Sequence, residues 1–531
     1  MSHATSIVNA TALGVPATFN AASHFIDRHL TEGRGARIAV ECEDDRVSYA
    51  ELSARVNQLG RALRERLDVR SEERVALLLL DGPHFFYSFF GTIKAGAVAV
   101  PINTLWTPAD YAYVLGDSRA RVVIVSEELL PRLAAIAPEL RRGLEHIVVV
   151  GAAAESSAAI NGGTRVWQWT DLVADVPTGL DPAATSRDDA AFWLYSSGST
   201  GRPKGCVHLH HDMVVCAELY GKGVLGARES DRFFSVAKLF FAYGLGNAGY
   251  FPLAVGGTSI VWPGAPTPAN VYAVIERHRP TLFFSVPTNY GMLLAHQGTF
   301  DLSSVRLAGS AGEALPPALF ERFKQRFGID ILDGIGSTEA LHTFISNRPD
   351  AIRPGSSGLV VPGYDAKLVD EAGRPVERGE IGNLWIAGDS TCAGYWNQPE
   401  KTRHTIHGDW LRTGDKYTQD ADGYYWYAGR SDDMLKVGGM WVSPIEVEHA
   451  LVQHAAVQEC AVVGREDHDK LTKPAAFVVV RPGHAPTPAL AADLLRHVRD
   501  VLAHYKRPRW IEFVGELPKT ATGKIQRFKL R

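Results

Sequence analysis

The chain is poor in the features that would place it outside the ordinary soluble classes. Its five cysteines, Cys42, Cys206, Cys216, Cys392 and Cys460, are scattered and form no CxxC pair. That spacing argues against a disulfide framework and against a cysteine-based zinc site. No apolar run approaches the roughly 18 residues that suggest a membrane span, and the opening MSHATSIVNATALG lacks a basic region leading into an apolar core. No membrane partner is expected, and a cytoplasmic location is. An excess of one charge is missing too, with 55 Lys+Arg against 59 Asp+Glu and a net charge of −4. Such a balance gives no general attraction to nucleic acid, so any basic site must be local. Repeats and low-complexity tracts are absent. There remain 531 residues, 46% of them hydrophobic, enough for two or more domains with ample core.

The order of patterns along the chain points to an α/β protein. ARIAVECEDDRVSYAELSARVNQLGRAL pairs a strand-like start with an amphipathic helix. ERVALLLLDG, AVAVPIN, ARVVIVS and HIVVVG are short apolar runs between helical patterns, as in a mostly parallel sheet. Residues 152–190 read as a linking stretch rich in small and polar side chains. TSIVWPG, TLFFSVP and RLAGSAG then repeat the strand-and-helix rhythm. Beyond Pro354 the pattern becomes β-rich, and Asp420-Ala421-Asp422-Gly423 reads as a turn between strands. The remaining ligands of a calcium loop are missing around it. The last hundred or so residues are α+β. There Ser443, Pro444 and Glu446 mark a capped helix start in which Glu446 reaches back.

The run YSSGSTGRPKG (195–205) carries the most chemistry. Its glycines let the backbone present N–H groups to anionic oxygens, and its hydroxyls add donors. Lys204 and Arg202 bring positive charge. It is not an ordinary P-loop, because Pro203 and Gly205 stand where Gly and Ser or Thr would be needed. The apolar lead-in AAFWLY makes it a loop ending a strand, a suitable place for a polyphosphate.

Five further segments follow in order: SAGEALP (310–316), DGIGSTEA (333–340), RTGD (412–415), YAGRSDDMLKVGG (427–439) and PKTATGKIQR (518–527). With the glycine-rich loop, this ordered set resembles the adenylate-forming enzymes: acyl- and aryl-CoA ligases, firefly luciferase and peptide-synthetase adenylation domains. The resemblance implies a large N-terminal domain, 1–431, made of α/β sheet subdomains plus a β-rich subdomain. A small mobile α+β C-terminal domain, 432–531, would follow. It implies ATP, Mg²⁺ and coenzyme A as cofactor and co-substrates. Ser196, Ser197, Gly198, Ser199, Thr200, Gly201 and Lys204 would hold the phosphates. Gly312, Glu313 and Ala314 would line the adenine, and Asp333, Gly334, Ile335, Ser337 and Thr338 would complete the ATP segment. Glu339, with Thr200 and Thr338, would hold Mg²⁺. Asp415 would accept the ribose hydroxyls, as a carboxylate can from a diol, with Arg430 assisting. Lys524 would bridge the carboxylate and the α-phosphate. Asp432 would be the hinge, Gly438 and Gly439 would flank the pantetheine passage, and Lys436 would assist thioester formation or lie in solvent. Relatives commonly carry an aromatic residue where Ile335 stands, so here the adenine would rely on apolar contact.

The acid pocket should be formed by KLFFAYGLG (238–246), with Phe241 as gating aromatic and Ala242, Tyr243, Gly244, Ile335 and His342 as walls. Residues 235–249 contain no carboxylate, so an α-ammonium group would be buried unpaired. Bulky Tyr243 opposes a long alkyl tunnel. KLFFAYGLGN and GSTEALHTFISN are most similar to benzoate and hydroxybenzoate CoA ligases, so benzoate or a small substituted benzoate is the expected partner. Ala340 and Thr343 leave room for a ring hydroxyl, amino or halogen. A cinnamate-like or short acyl acid, a luciferase-like oxygenase and a non-catalytic relative stay open, and a homodimer is an open arrangement.

Two other patterns carry less. Gly244, Gly246 and Gly249 fit G-x-G-x-x-G, but no acidic residue stands near position 269 to bind a ribose. His208, His210 and His211 lack a companion ligand at metal spacing and are expected at the start of the helix after the loop.

Overall fold

The computed structural model describes residues 7–136, 143–151, 164–196, 202–431, 433–437, 440–468, 471–502, 504–519 and 525–531. Of residues 436, 440, 441, 500 and 505 only the backbone is described. Among the described residues the chain builds two large mixed sheets, of eight and nine strands, a five-stranded antiparallel sheet, and a C-terminal α+β unit.

The apolar runs become the parallel centres of the large sheets. Arg74–Leu78, Val98–Pro101, Val122–Ser126 and His146–Val150 pair in parallel in the eight-stranded sheet. Thr258–Val261, Leu282–Ser285 and Leu307–Ser310 lie among the parallel strands of the nine-stranded one. Both faces of such strands are covered by helices, so a continuous Val/Ile/Leu run is stable where an alternating one would waste apolar side chains. The helix Tyr49–Glu65 starts where its sequence demands: the Ser48 hydroxyl accepts from the Glu51 N–H, and the Glu51 carboxylate accepts from the Ser48 N–H. Its apolar stripe packs on the helix Pro83–Lys94. No helix among the described residues is long and apolar enough to cross a membrane.

Residues 152–190 hold more than a linker. Arg165–Gln168 is an edge strand and Trp169–Val173 a short helix. The β-branched and aromatic pair in Arg165-Val166-Trp167-Gln168 was the available signal, too short to stand out among small residues. The turn at 420–423 joins Trp410–Gln419 to Tyr425–Arg430 as expected. The Asp420 carboxylate accepts from the Asp422 and Tyr424 N–H groups and from the Trp426 indole.

Residues beyond 434 have their own apolar clusters, built from the helices Pro444–Val452 and Pro488–Val501 against the sheet Val457–Glu466, Thr472–Val480 and Trp510–Phe513. Ser443 caps the first helix by accepting from the Glu446 N–H at 3.2 Å. Glu446 does not reach back as expected, because its carboxylate pairs with Lys506 at 2.7 Å. A full positive charge outcompetes a backbone N–H for that carboxylate.

Candidate active site

In open α/β sheets ligands bind beyond the C-terminal ends of the parallel strands. Three sequence-predicted segments leave such ends: the glycine-rich loop after Ala190–Ser196, residues 311–316 after Leu307–Ser310, and residues 337–342 after Ile331–Gly336. Of the loop, Ser197, Gly198, Ser199, Thr200 and Gly201 lie outside the described residues. Its flanks face each other across an antiparallel pair, Ser196 opposite Lys204 and Tyr195 opposite Gly205.

The loop base carries an interlocked corner. Lys204 Nζ lies 3.1 Å from a Glu339 carboxylate oxygen and donates to the Tyr395 hydroxyl at 2.6 Å. That hydroxyl donates to the same Glu339 oxygen at 2.8 Å, and the Ser196 hydroxyl approaches it at 3.5 Å. The ammonium also lies 4.0 Å from the Tyr395 ring centroid. Burial alone would raise the Glu339 carboxyl, but the Lys204 charge beside it holds it below its ordinary value. Burial and the Glu339 charge both push the Tyr395 phenol up, so it stays a donor. A single ionised carboxylate flanked by hydroxyls suits Mg²⁺, which keeps several waters and takes its other ligands from substrate phosphates.

The backbone behind Glu339 is clamped. The Thr338 carbonyl accepts from His208 Nε2 at 2.8 Å, the Glu339 carbonyl from the Cys392 N–H at 2.7 Å, and the Ala340 carbonyl from the Ser390 hydroxyl at 2.8 Å. Leu341 sits in the left-handed region at φ 66°, buried, where a branched residue is an outlier. This tight turn sends His342 back into the core while Glu339 faces Ser196 and Lys204. The Ser337 hydroxyl accepts from the Ala340 N–H and closes it.

The histidine cluster departs from expectation. Asp212 is the carboxylate companion that the sequence reading did not credit: its Oδ2 lies 2.7 Å from His208 Nδ1, and both residues are fully buried. His208 lies in the strand Lys204–Leu209, not at a helix start, stacked on Phe192. His211 precedes the helix Asp212–Cys216 as expected, and His210 Nδ1 accepts from the Ala21 N–H. Among the described residues no group of three or more His, Cys, Asp or Glu could hold a metal ion.

Asp333 is buried, and its carboxyl is pushed up to about 8 by desolvation. Its Oδ2 faces the Leu315 N–H at 3.4 Å, which ties strand Ile331–Gly336 to the segment of Gly312, Glu313 and Ala314. Glu313 accepts from the Thr288 hydroxyl at 2.8 Å, and Gly312 takes φ 89°, which favours glycine. Gly334 and Ile335 pair with Ser346 and Ile345. Asp415 and Arg430 face each other on adjacent strands of the five-stranded sheet, 3.1 Å apart.

On the acid side, Gly244 and Gly246 serve close packing rather than a dinucleotide. A Cβ on Gly244 would fall 2.1 Å from the Lys238 carbonyl, and one on Gly246 2.3 Å from the His342 ring. His342 stacks on Tyr243 at 5.6 Å, with Phe251 edge-on at 4.6 Å. Burial drives the His342 imidazole down to about 3, so it is neutral. Ala242 is buried and Phe241 partly exposed.

Asp432, Gly438, Gly439 and Lys524 lie outside the described residues, as does the Lys436 side chain. The flanks of Lys524 are held: the Gln526 N–H donates to the Pro518 carbonyl at 2.8 Å, and Arg527 pairs with Glu448 at 2.8 Å. Tyr395, Asp212 and Ser390 were missed by sequence reasoning, and His208 was placed at a helix start instead of behind Thr338. Only the i, i+4 spacing of His208 and Asp212 offered a signal.

Residues 27–396 match the AMP-binding enzyme family, and residues 446–524 match the AMP-binding enzyme C-terminal domain. The chain is 51% identical over 523 residues to a benzoate–CoA ligase of Thauera aromatica, covering 98% of this chain and 97% of that protein. It is 46% identical to a 4-hydroxybenzoate–CoA/benzoate–CoA ligase of Rhodopseudomonas palustris, covering 97% and 94%. The crystal structure of the anthranilate CoA ligase AuaEII with anthranoyl-AMP superposes with a TM-score of 0.93 at 49% identity, covering 99% of this chain and 98% of that one. Fold, ordered segments and relatives agree, and the chain belongs to the AMP-binding enzyme family.

Proposed function

We propose that the chain is an ATP-dependent aryl-CoA ligase that activates benzoate or a small substituted benzoate. The carrying observation is the Lys204–Glu339–Tyr395 corner at the strand ends, in a chain 51% identical to a benzoate–CoA ligase over nearly its full length. A carboxylate is a poor acyl donor, since its leaving group would be oxide. Its oxygen attacks the α-phosphorus of ATP, pyrophosphate leaves, and an aryl adenylate forms. The CoA thiol then attacks the acyl carbon, AMP leaves, the thiol proton is lost, and aryl-CoA results.

Both partners of the first step are anions, so this chain must supply preorganised positive charge. Lys524 takes the carboxylate and α-phosphate, and the loop residues with Lys204 take the remaining phosphate oxygens. Glu339 and Thr200 would hold Mg²⁺, which neutralises phosphate charge when bound. Asp415 with Arg430 holds the ribose. Residues 432–531 move as a C-terminal domain about Asp432 between the two steps, withdrawing Lys524 and bringing Gly438 and Gly439 to the thiol passage. Phe241, Ala242, Tyr243, Ile335 and His342 enclose the ring.

The test is AMP release from a panel of benzoates, cinnamates, phenylacetates and short and long fatty acids, with and without CoA. CoA-dependent turnover should be highest with a benzoate. A fatty acid or cinnamate ranking first would overturn the acid assignment, and turnover without need of CoA would overturn the ligase assignment.

A further inference from the structure

Asp81 stands where the strand Arg74–Leu78 of the eight-stranded sheet turns toward the helix Pro83–Lys94, and it is only 5% exposed. A carboxylate is rarely placed so deep unless it is paired. Its contacts run to the nine-stranded sheet. Oδ1 accepts from the Leu239 N–H at 3.1 Å, and Oδ2 lies 3.8 Å from Lys238 Nζ, both just beyond the strand Arg232–Ser235. The Asp81 carbonyl accepts from the thiol of Cys42, the last residue of the strand Ile38–Cys42, at 4.0 Å. Lys238 Nζ in turn donates to the Trp262 carbonyl, and to the Gly264 carbonyl at 2.8 Å, just beyond Thr258–Val261. The ends of four strands from two sheets meet at this pair.

Lys238 and Leu239 open the segment 238–246, and the turn behind them has no slack. The Phe241 N–H donates to the Lys238 carbonyl at 3.0 Å, and the Leu245 N–H donates to the Phe241 carbonyl at 2.8 Å. Leu239 and Phe240 are buried, and the Phe240 and Phe241 rings lie 4.4 Å apart. A shift of the backbone at Leu239 therefore carries Phe241 and Ala242 with it. Burial raises the Asp81 carboxyl above its ordinary value, and Lys238 and the Leu239 N–H offset only part of that. A buried ion pair adds little net stability over apolar side chains of the same volume. Stability alone does not account for Asp81.

Resting on the aryl-acid reading above, we propose that Asp81, with Lys238, is a positioning residue for the acid. From the neighbouring sheet it fixes Phe241 and Ala242 against the ring, and so sets how tightly the acid is held and how strictly its size is limited. It acts through the Leu239 N–H and the Lys238 ammonium, not by touching substrate.

The experiment compares wild type with Asp81→Asn and Asp81→Leu. Asparagine keeps an oxygen for the Leu239 N–H and loses the charge opposite Lys238, whereas leucine loses both. The readouts are kcat/KM for benzoate, the benzoate-to-cinnamate ratio of kcat/KM, the KM for ATP at saturating acid, and the ligand-free Tm. Misplacement of a binding group by about 1 Å can cost on the order of a hundredfold. Asp81→Leu should therefore lose roughly ten- to a hundredfold in kcat/KM for benzoate, with a narrowed benzoate-to-cinnamate ratio and the KM for ATP near wild type. Asp81→Asn should recover part of both losses. A lowered Tm with unchanged benzoate kinetics overturns the proposal, because Asp81 is then a structural group only. Equal losses toward benzoate and ATP overturn it too. If Asp81→Leu does not accumulate, Asp81→Asn decides, and wild-type benzoate kinetics and ratio there overturn the proposal. A wild type that turns over another acid class and no benzoate would instead overturn the aryl-acid reading, and the Asp81 comparison is then made with that acid.

Discussion

The corner around Glu339 and the wall around Tyr243 are both buried and polar, yet they treat their polar groups in opposite ways. In the corner every group has more than one partner: Lys204 meets Glu339 and Tyr395, and Glu339 meets Lys204, Tyr395 and Ser196. In the wall His342 Nδ1 has none among the described residues, and the Tyr243 hydroxyl has only the Asn247 amide beside it. A satisfied network has one geometry and suits chemistry that is the same for every substrate. Unsatisfied groups are costly unless a ligand completes them, and so they suit discrimination. The nucleotide side should set the rate for all acids alike, and the wall should set their order.

The largest break of that contrast is Lys524→Ala. Removing one preorganised charge at the reacting phosphate should slow adenylation by ~10²–10³ or more. All acids should slow together, and chemically made aryl-AMP should still react with CoA at a substantial rate. Rapid-quench measurement of both half-reactions checks this. Equal loss in the two steps, or a reordered acid panel, would sink the assignment.

Next comes the support behind the corner. His208 links Asp212 to the Thr338 carbonyl, so it is a positioning residue for Glu339. His208→Phe keeps a ring to stack on Phe192 and loses both hydrogen bonds. Outer partners of this kind typically cost about 10–100-fold. The loss should fall on kcat/KM for ATP with the acid ranking unchanged, and the Mg²⁺ concentration needed for ATP-dependent thermal stabilisation should rise. His208→Gln, whose amide can still donate to Thr338, should recover part of both. A destabilised His208→Phe with normal ATP kinetics would reduce His208 to a core residue.

The wall has its own signature in pH. Desolvation lowers the His342 imidazole from 6.5 to about 3, outweighing a backbone hydrogen bond that raises it. The unfolded chain takes up this proton below about pH 6.5 and the folded one resists it, so the contribution is complete above that pH and is lost as pH falls toward 3. His24, His29 and His210 are lowered in the same sense. Denaturation of the ligand-free protein between about pH 4 and pH 6 should give His342→Gln a slope shallower by about 1.4 kcal/mol per pH unit. Parallel slopes would mean that His342 titrates freely in the fold.

Much of the frame was legible because it is local. Apolar runs such as Val122–Ser126 could only be covered strands, the amphipathic pattern in residues 36–63 announced a helix, and the Asp420 turn was written in four residues. The ordered segments also singled out Lys204, Glu339, Asp415 and Arg430, and the structure shows Lys204 against Glu339 and Asp415 against Arg430. What escaped depends on contacts that no local period encodes. Tyr395 reaches Lys204 across 191 positions, and nothing in GYWNQPE marks its hydroxyl. Asp212 was overlooked because the strand-to-turn geometry that aims it at His208 is not a helical repeat. Asn247 read as one more residue of a glycine-rich pocket segment, since whether an amide finds partners is a property of packing.

The smallest effect sharpens the comparison most. Tyr395→Phe removes the hydroxyl that bridges Lys204 and Glu339 but keeps the ring under the ammonium at 4.0 Å and the direct Lys204–Glu339 contact at 3.1 Å. A typical hydrogen bond contributes a net of about 0.5–1.5 kcal/mol, and here both partners retain others. The KM for ATP should therefore rise only roughly two- to tenfold, with kcat and the acid ranking close to wild type. Steady-state kinetics at saturating acid and CoA measure it. A loss beyond about a hundredfold would mean that the hydroxyl itself meets the reacting phosphate, and the corner would not be the redundant network that its distances describe.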